Sequence, residues 1–301
     1  KVGIRLALSP MADLATEPRW GRINGTFGEE AQLSARLTKA YIQGFQGDSL
    51  THESVACMTK HFSGGGPQKD GEDAHFDYGA DQAYPGNNFD YHVIPFEGAF
   101  EANTAQIMPY YGIPVGQTNE EVAFAFNKEI ITDLLRNKYN FDGVVCTDWG
   151  VISDMMMKPA SAWGVEDLTY GERVAKALDA GCDMFGGEEK PELVVEVVKN
   201  GAIKEASIDV SVRRILRDKF KLGLFDNPYL KEDSAKNVGN TEFRKKGRAA
   251  QRRAITLLKN ENNILPLARD AKIYVQGLDK NAAKAFAQIV DSPTEADFIV
   301  L

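Results

Sequence analysis

The chain has 301 residues, 43% of them hydrophobic and 26% charged, with a formal net charge of -8. That length suits one large globular domain plus part of another. The acidic balance, with basic residues scattered rather than clustered, leaves no electrostatic footprint for nucleic acid or for an anionic membrane surface.

A neutral or small partner fits better, and no apolar stretch approaches the ~18 residues of a membrane span. Cys57, Cys146 and Cys182 lie in or beside apolar runs at wide spacing. Their odd number and spacing suit buried free thiols rather than a disulfide framework. The opening Lys1-Val2-Gly3-Ile4 has no signal-like character, so any processing signal is expected outside these residues.

Short apolar runs alternate with longer segments of helical period, which predicts an α/β fold of parallel strands joined by helices. In chain order the expected elements are a strand at Ile4–Leu8, a helix from about Glu29 to Gln43, and strands at Val55–Met58 and Ala105–Met108. A helix over Phe126–Tyr139 follows, with Ile130, Ile131, Leu134 and Leu135 on one face, then a strand at Gly143–Cys146. A helix at Glu172–Ala180, stopped by Gly181, leads to a strand at Cys182–Phe185. These are fewer units than the eight of a complete β/α barrel. The expectation is therefore a TIM-type barrel, incomplete at its N-terminus, over residues 1–230. A linker at 231–247 and the truncated start of an α/β sandwich at 248–301 complete the division. That last segment holds a helix at Arg248–Leu258, the Leu265-Pro266-Leu267 run and a strand at Ile273–Val275.

Polar residues follow the C-terminal ends of these strands, where parallel β/α folds place their active sites. Asp13 comes after the first, Lys60 and His61 after the second, Tyr110 after the third and Asp148 after the fourth. Taken singly, each has an ordinary structural explanation. Asp148 could cap a helix, Lys60 could be a solvated loop lysine, and His61 a hydrogen-bonded structural histidine. Tyr110 and Trp149 could be packing residues with a polar tip. Their convergence on one mouth is what gives the group weight. The loop Ser63–Asn88 is long and carries Asp70, Glu72, Asp73 and His75, but at no metal-site spacing. It reads as a solvated acidic loop, and its three glycines lack the lysine and hydroxyl residue of a phosphate loop.

Three motifs in order, Pro18-Arg19-Trp20-Gly21-Arg22, Lys60-His61-Phe62 and Phe141-Asp142-Gly143-Val144-Val145-Cys146-Thr147-Asp148-Trp149, resemble those of family 3 glycoside hydrolases. The resemblance extends to about residue 235, and Arg248–Leu267 resembles the opening of that family's second domain. It implies that Asp148 is the nucleophile of a retaining, two-step displacement. Arg22, Lys60 and His61 match residues that hydrogen-bond sugar hydroxyls. Tyr110 matches a tyrosine close to the nucleophile, and Trp149 would wall the sugar or the aglycone. The stretch Ile23–Glu30 departs from the usual aromatic and glutamate after the arginine. The family's aspartate on the far side of the sugar would lie before Lys1. Its general acid/base, in two-domain relatives, would come from beyond Leu301.

The expected activity is that of an exo-acting β-glycosidase, foremost a β-glucosidase, with a carbohydrate substrate, no cofactor and no metal. The remainder of the same polypeptide is the expected partner, in a periplasmic or secreted setting. A β-xylosidase or a β-N-acetylglucosaminidase is the alternative within the family, and Asp73-Ala74-His75 offers the latter's Asp-His pair. From other classes, a Schiff-base aldolase would use Lys60 and be trapped by borohydride. A non-catalytic sugar-binding module would bind hexose without turnover.

Overall fold

The computed structural model describes residues 2–155 and 158–301. The chain divides into two compact units, Lys1–Ala235 and Lys236–Leu301. Strands of the first unit are β1 (Leu6–Ala7), β2 (Ala56–Phe62), β3 (Asp81–Gln82), β4 (Gln106–Pro109), β5 (Ile113–Pro114) and β6 (Val144–Val145). Four of them form one sheet in the order β1-β2-β4-β6, every neighbouring pair parallel. Parallel neighbours need crossovers, which are supplied by helix α1 (Ala31–Gln46), helix α2 (Phe89–Glu101) and a wider π-type helix at Glu129–Lys138. Helices α3 (Tyr170–Ala180), α4 (Glu192–Lys199) and α5 (Glu205–Lys221) follow. This is the winding of a β/α barrel.

Strand alternation sorts the side chains into two layers. Cys57 packs with Ile42 of α1, with Ala99 of α2 and with Ala102 at its C-terminal end, while Met58, Met108 and Cys146 meet Leu6, Met184 and Trp149 in a separate cluster. Met58 and Met108 are each 1% exposed, so truncating either to alanine would cost about 2–5 kcal/mol. All three cysteines are buried free thiols. Burial pushes those of Cys57 and Cys146 up to about 12.

Several boundaries differ from the sequence expectation. Helix α1 begins at Ala31, where the Glu30 carboxylate accepts from the Gln32 and Leu33 amides. Helix α3 starts two residues early because Thr169 and Glu172 form a reciprocal capping box, and it ends at Gly181, whose φ of 112° is the left-handed stop expected of a glycine. The helix expected over Phe126–Tyr139 is a 3-10 turn at Phe124–Phe126 followed by the π-type helix. Ile130, Ile131 and Leu135 are buried on it as anticipated, with Leu134 only half-buried.

The strand expected at Cys182–Phe185 is reduced to a single parallel bridge between Cys146 and Met184. Its neighbour's amide is already engaged: the Val145 N–H donates to the Asp183 carboxylate at 2.8 Å rather than to a strand carbonyl. Asp183 is in turn held by Arg136 at 2.6 Å and Arg214 at 2.9 Å.

The second unit holds helix α6 (Thr241–Ala254) and a parallel sheet of β7 (Lys272–Val275), β8 (Gln288–Val290) and β9 (Phe298–Val300), ordered β8-β7-β9. Ile273, Val275 and Ala287 are its buried centre. The segment 231–247, expected as a linker, contains a 3-10 turn at Glu232–Asn237 and the first half of α6. The helix expected to reach Leu258 stops at Ala254.

Candidate active site

Strand β2 extends through Phe62, so Lys60 and His61 lie within the strand rather than after it. Successive strand residues normally face opposite sides, but the pairing of β2 with β4 shifts register between Lys60 and Phe62. Both side chains come within electrostatic reach of Asp148.

Asp148 follows the Cys146 bridge at the end of β6 and is 8% exposed. Its Oδ1 accepts from the Trp149 backbone amide at 2.7 Å and from the Tyr111 hydroxyl at 3.0 Å. Its Oδ2 lies 3.6 Å from His61 Nε2. One oxygen is thereby fixed by donors while the other faces the imidazole.

His61 is itself oriented from behind. Its Nδ1 lies 2.8 Å from Asp13 Oδ2, and its Nε2 lies 3.5 Å from Arg22 Nη2. An ionised Asp13 only accepts, so the Nδ1 side carries the proton. Asp13 is fully buried and also accepts from the Gly65 amide. Burial alone would raise its carboxyl, but His61, the Gly65 amide and the Arg22 charge together hold it below the usual carboxylate range. Lys60 is half-buried, and burial draws its ammonium below the ordinary lysine value, with Asp148 opposing that shift. Arg22 Nη1 is buried without a hydrogen-bond partner among the described residues.

The hydroxyl on Asp148 belongs to Tyr111, while Tyr110, the tyrosine expected close to the nucleophile, lies within electrostatic reach of the same carboxylate. Tyr110 is fully buried with its ring centroid 5.1 Å from that of His61. Its hydroxyl has no partner among the described residues. Because β4 ends at Pro109, position in the sequence could not decide which of two adjacent tyrosines turns toward β6. Trp149 is half-buried and packs with the methionine layer. Its indole lies against the backbone of Gly186 and Gly187, where an added Cβ would sit 2.6 Å and 2.4 Å from ring carbons.

Three further groups reach the site from loops. In the Ser63–Asn88 loop Asp70 and Glu72 are exposed as expected, but Asp73 is half-buried and accepts from Trp20 Nε1 at 3.0 Å and from His75 Nδ1. Burial would raise Asp73, but the His75 contacts hold it far below the usual range. The His75 ring lies 4.4 Å from that of Tyr111, centroid to centroid. From the segment after Asp148, Lys158 places its ammonium 5.2 Å from the same tyrosine ring and donates to Ser161 Oγ at 2.7 Å. Asp73 and His75 had a sequence signal in their spacing, whereas Lys158 had none. A near-buried carboxylate surrounded by Arg22, Lys60, His61 and Lys158 can act as a nucleophile toward a neutral, hydroxyl-rich substrate.

Along its whole length the chain is 53% identical to the probable β-glucosidase C of Aspergillus flavus, covering 49% of that protein. It is 42% identical to the periplasmic β-glucosidase/β-xylosidase of Dickeya chrysanthemi, again over all of this chain and 49% of the other. The chain thus spans about half the length of these curated relatives. The crystal structure of a β-glucosidase from Listeria innocua in complex with glucose superposes with a TM-score of 0.78 at 28% identity, over 91% of this chain and 36% of that one. Residues 1–217 match the family model described as the glycosyl hydrolase family 3 N terminal domain, and the chain belongs to that family.

Proposed function

We propose that the intact protein is a retaining, exo-acting β-glucosidase with Asp148 as nucleophile. The observation that carries this reading is the Asp148 carboxylate, held by Tyr111 on one oxygen and facing His61 with the other. Arg22, Lys60 and His61 would bind the hydroxyls of the terminal sugar, and Trp149 would wall the site. In the first step Asp148 forms a bond to the anomeric carbon as the glycosidic C–O bond breaks and an acid protonates the leaving oxygen. In the second, water displaces Asp148 and gives up its proton. We place that acid/base outside residues 1–301. The second unit, on this reading, opens an α/β domain. The naming of the Dickeya relative supports a periplasmic or secreted setting.

Incubation of the intact enzyme with a 2-deoxy-2-fluoro-glucoside, followed by peptide mapping, tests residue and sugar together. A label on Asp148 is expected, and a label on any other carboxylate sinks the assignment. The glucoside compared with the xyloside of the same leaving group then settles the sugar.

A second reading, β-N-acetylglucosaminidase, is favoured by the Asp73–His75 contact beside Tyr111. A carboxylate-backed imidazole at that place could serve as the acid/base. Turnover of 4-nitrophenyl N-acetylglucosaminide with none of the glucoside would select it.

A further inference from the structure

The segment that follows Asp148 doubles back onto Gly150. Ser161, fully buried, donates its backbone amide to the Gly150 carbonyl at 2.8 Å, and the Met155 side chain fills the place a Cβ on Gly150 would need. Lys158 exchanges backbone hydrogen bonds with Met155, amide to carbonyl in both directions, at 2.9 Å and 3.2 Å. Its side chain is fixed at the far end too, where the ammonium donates to Ser161 Oγ at 2.7 Å. Holding a long, flexible lysine at both ends costs side-chain entropy. The place where it is held is over the Tyr111 ring, 5.2 Å from the centroid, within the ~6 Å at which a ring attracts a cation.

The Tyr111 hydroxyl has one proton and two acceptors within reach, Asp148 Oδ1 at 3.0 Å and the Trp149 carbonyl at 2.6 Å. Burial and the Asp148 charge keep that hydroxyl protonated, so toward the carboxylate it only donates. A cation over the ring draws electron density from the phenol and makes its O–H a stronger donor. The gain is greater when the acceptor is charged, because a hydrogen bond to a carboxylate is stronger than one between neutral groups. Other titratable groups face the same carboxylate: Lys60 and His61 from β2, Cys146 from β6, and Tyr110 from the end of β4, with Arg22 standing on His61. From the long loop, Asp73 attracts the Lys158 ammonium and the His75 ring packs on Tyr111.

We propose that Lys158 is a positioning residue for the nucleophile: its ammonium, seated over the Tyr111 ring, strengthens the hydrogen bond that Tyr111 gives Asp148 and so favours the charged carboxylate over the protonated one. The proposal rests on the reading of Asp148 as nucleophile. It assigns to Lys158 no contact with the sugar, only an action through the tyrosine that touches Asp148.

The test is the pH dependence of kcat/KM for 4-nitrophenyl β-glucoside with the intact enzyme, whose acid limb reports ionisation of the nucleophile. Lys158→Met removes the charge and keeps most of the side chain. The carboxylate is then less stabilised, and the acid limb is expected to move up by about half a pH unit. The basic limb, set by the proton donor, stays in place. Lys158→Arg returns a cation and is expected to return the limb. In the Tyr111→Phe background, Lys158→Met should move the limb less than half as far, since the hydroxyl that carries the effect is gone. An unmoved acid limb in Lys158→Met, or an equal shift with and without the Tyr111 hydroxyl, overturns the proposal. Should Lys158→Met fail to fold, Ser161→Ala, which releases the ammonium, decides by the same readout. Labelling with a 2-deoxy-2-fluoro-glucoside separates this from the reading beneath it: a label on Asp148 with an unmoved limb defeats the role of Lys158 alone, whereas a label on another carboxylate defeats both.

Discussion

Replacing Tyr111 by phenylalanine removes one oxygen and leaves a ring whose packing against His75 and Tyr110 is otherwise kept. The lost oxygen lies 3.0 Å from Asp148 Oδ1 and 2.6 Å from the Trp149 carbonyl. Tyr111 is 3% exposed, so water can replace the hydroxyl only poorly. A hydrogen bond to an ionised partner is worth about 1.5–3 kcal/mol. At ~1.4 kcal/mol per decade, kcat should fall roughly 10- to 150-fold. The assay is steady-state hydrolysis of 4-nitrophenyl β-glucoside by the intact enzyme. KM is expected to move less than kcat, because the hydroxyl touches the reacting carboxylate rather than the sugar-binding cations. Tyr110→Phe is the control. Its hydroxyl has no described partner, so its removal should change kcat less than about threefold and leave stability intact or improved. A normal kcat in Tyr111→Phe with a collapsed one in Tyr110→Phe would refute the reasoning.

Other expectations address the groups behind the site. Asp13→Ala strands the Gly65 amide and His61 Nδ1 and should cost about 3–5 kcal/mol in urea unfolding, together with most of the activity; a loss below about 1 kcal/mol would show that Asp13 supports nothing. Arg136→Met removes donors to the Phe141, Gly143 and Gly181 carbonyls and leaves Asp183 with one cation fewer, so a similar loss is expected in the urea midpoint. His92 titrates at about 4 when folded against 6.5 when unfolded. The unfolded chain therefore binds the extra proton, and about 3 kcal/mol should be lost as pH falls through that window. Folded His92→Phe should show a flatter stability profile there; the wild-type slope in that variant would contradict it. Gly187→Ala drives a methyl into the Trp149 ring, and should raise KM for aryl glucosides and shift the tryptophan emission while kcat changes little; unaltered emission and KM would show that the indole is not held by that contact.

Much of this was legible in the chain itself. Alternating apolar runs and helical periods announced the parallel α/β winding, and Gly181 marked the end of α3, while the Thr169 cap that starts it went unread. The same polar residues that follow or end the strands, Asp13, Lys60, His61 and Asp148, do assemble at one mouth, because parallel strands deliver their C-terminal ends to the same side.

What sequence could not supply depended on contacts between distant segments. The choice of Tyr111 over Tyr110 turns on which way the chain leaves β4. The broken strand at Cys182–Phe185 turns on a carboxylate taking the amide its neighbour would have used. Asp73 and His75 looked like solvated loop charges until Trp20, 53 positions away, donated to the aspartate. Composition and periodicity thus determined the fold class and the strand-end residues, since both follow from local hydrophobic pattern. Only the tertiary structure decided which hydroxyl, imidazole and ammonium face Asp148, because hydrogen bonds between segments far apart in the chain leave no period to read.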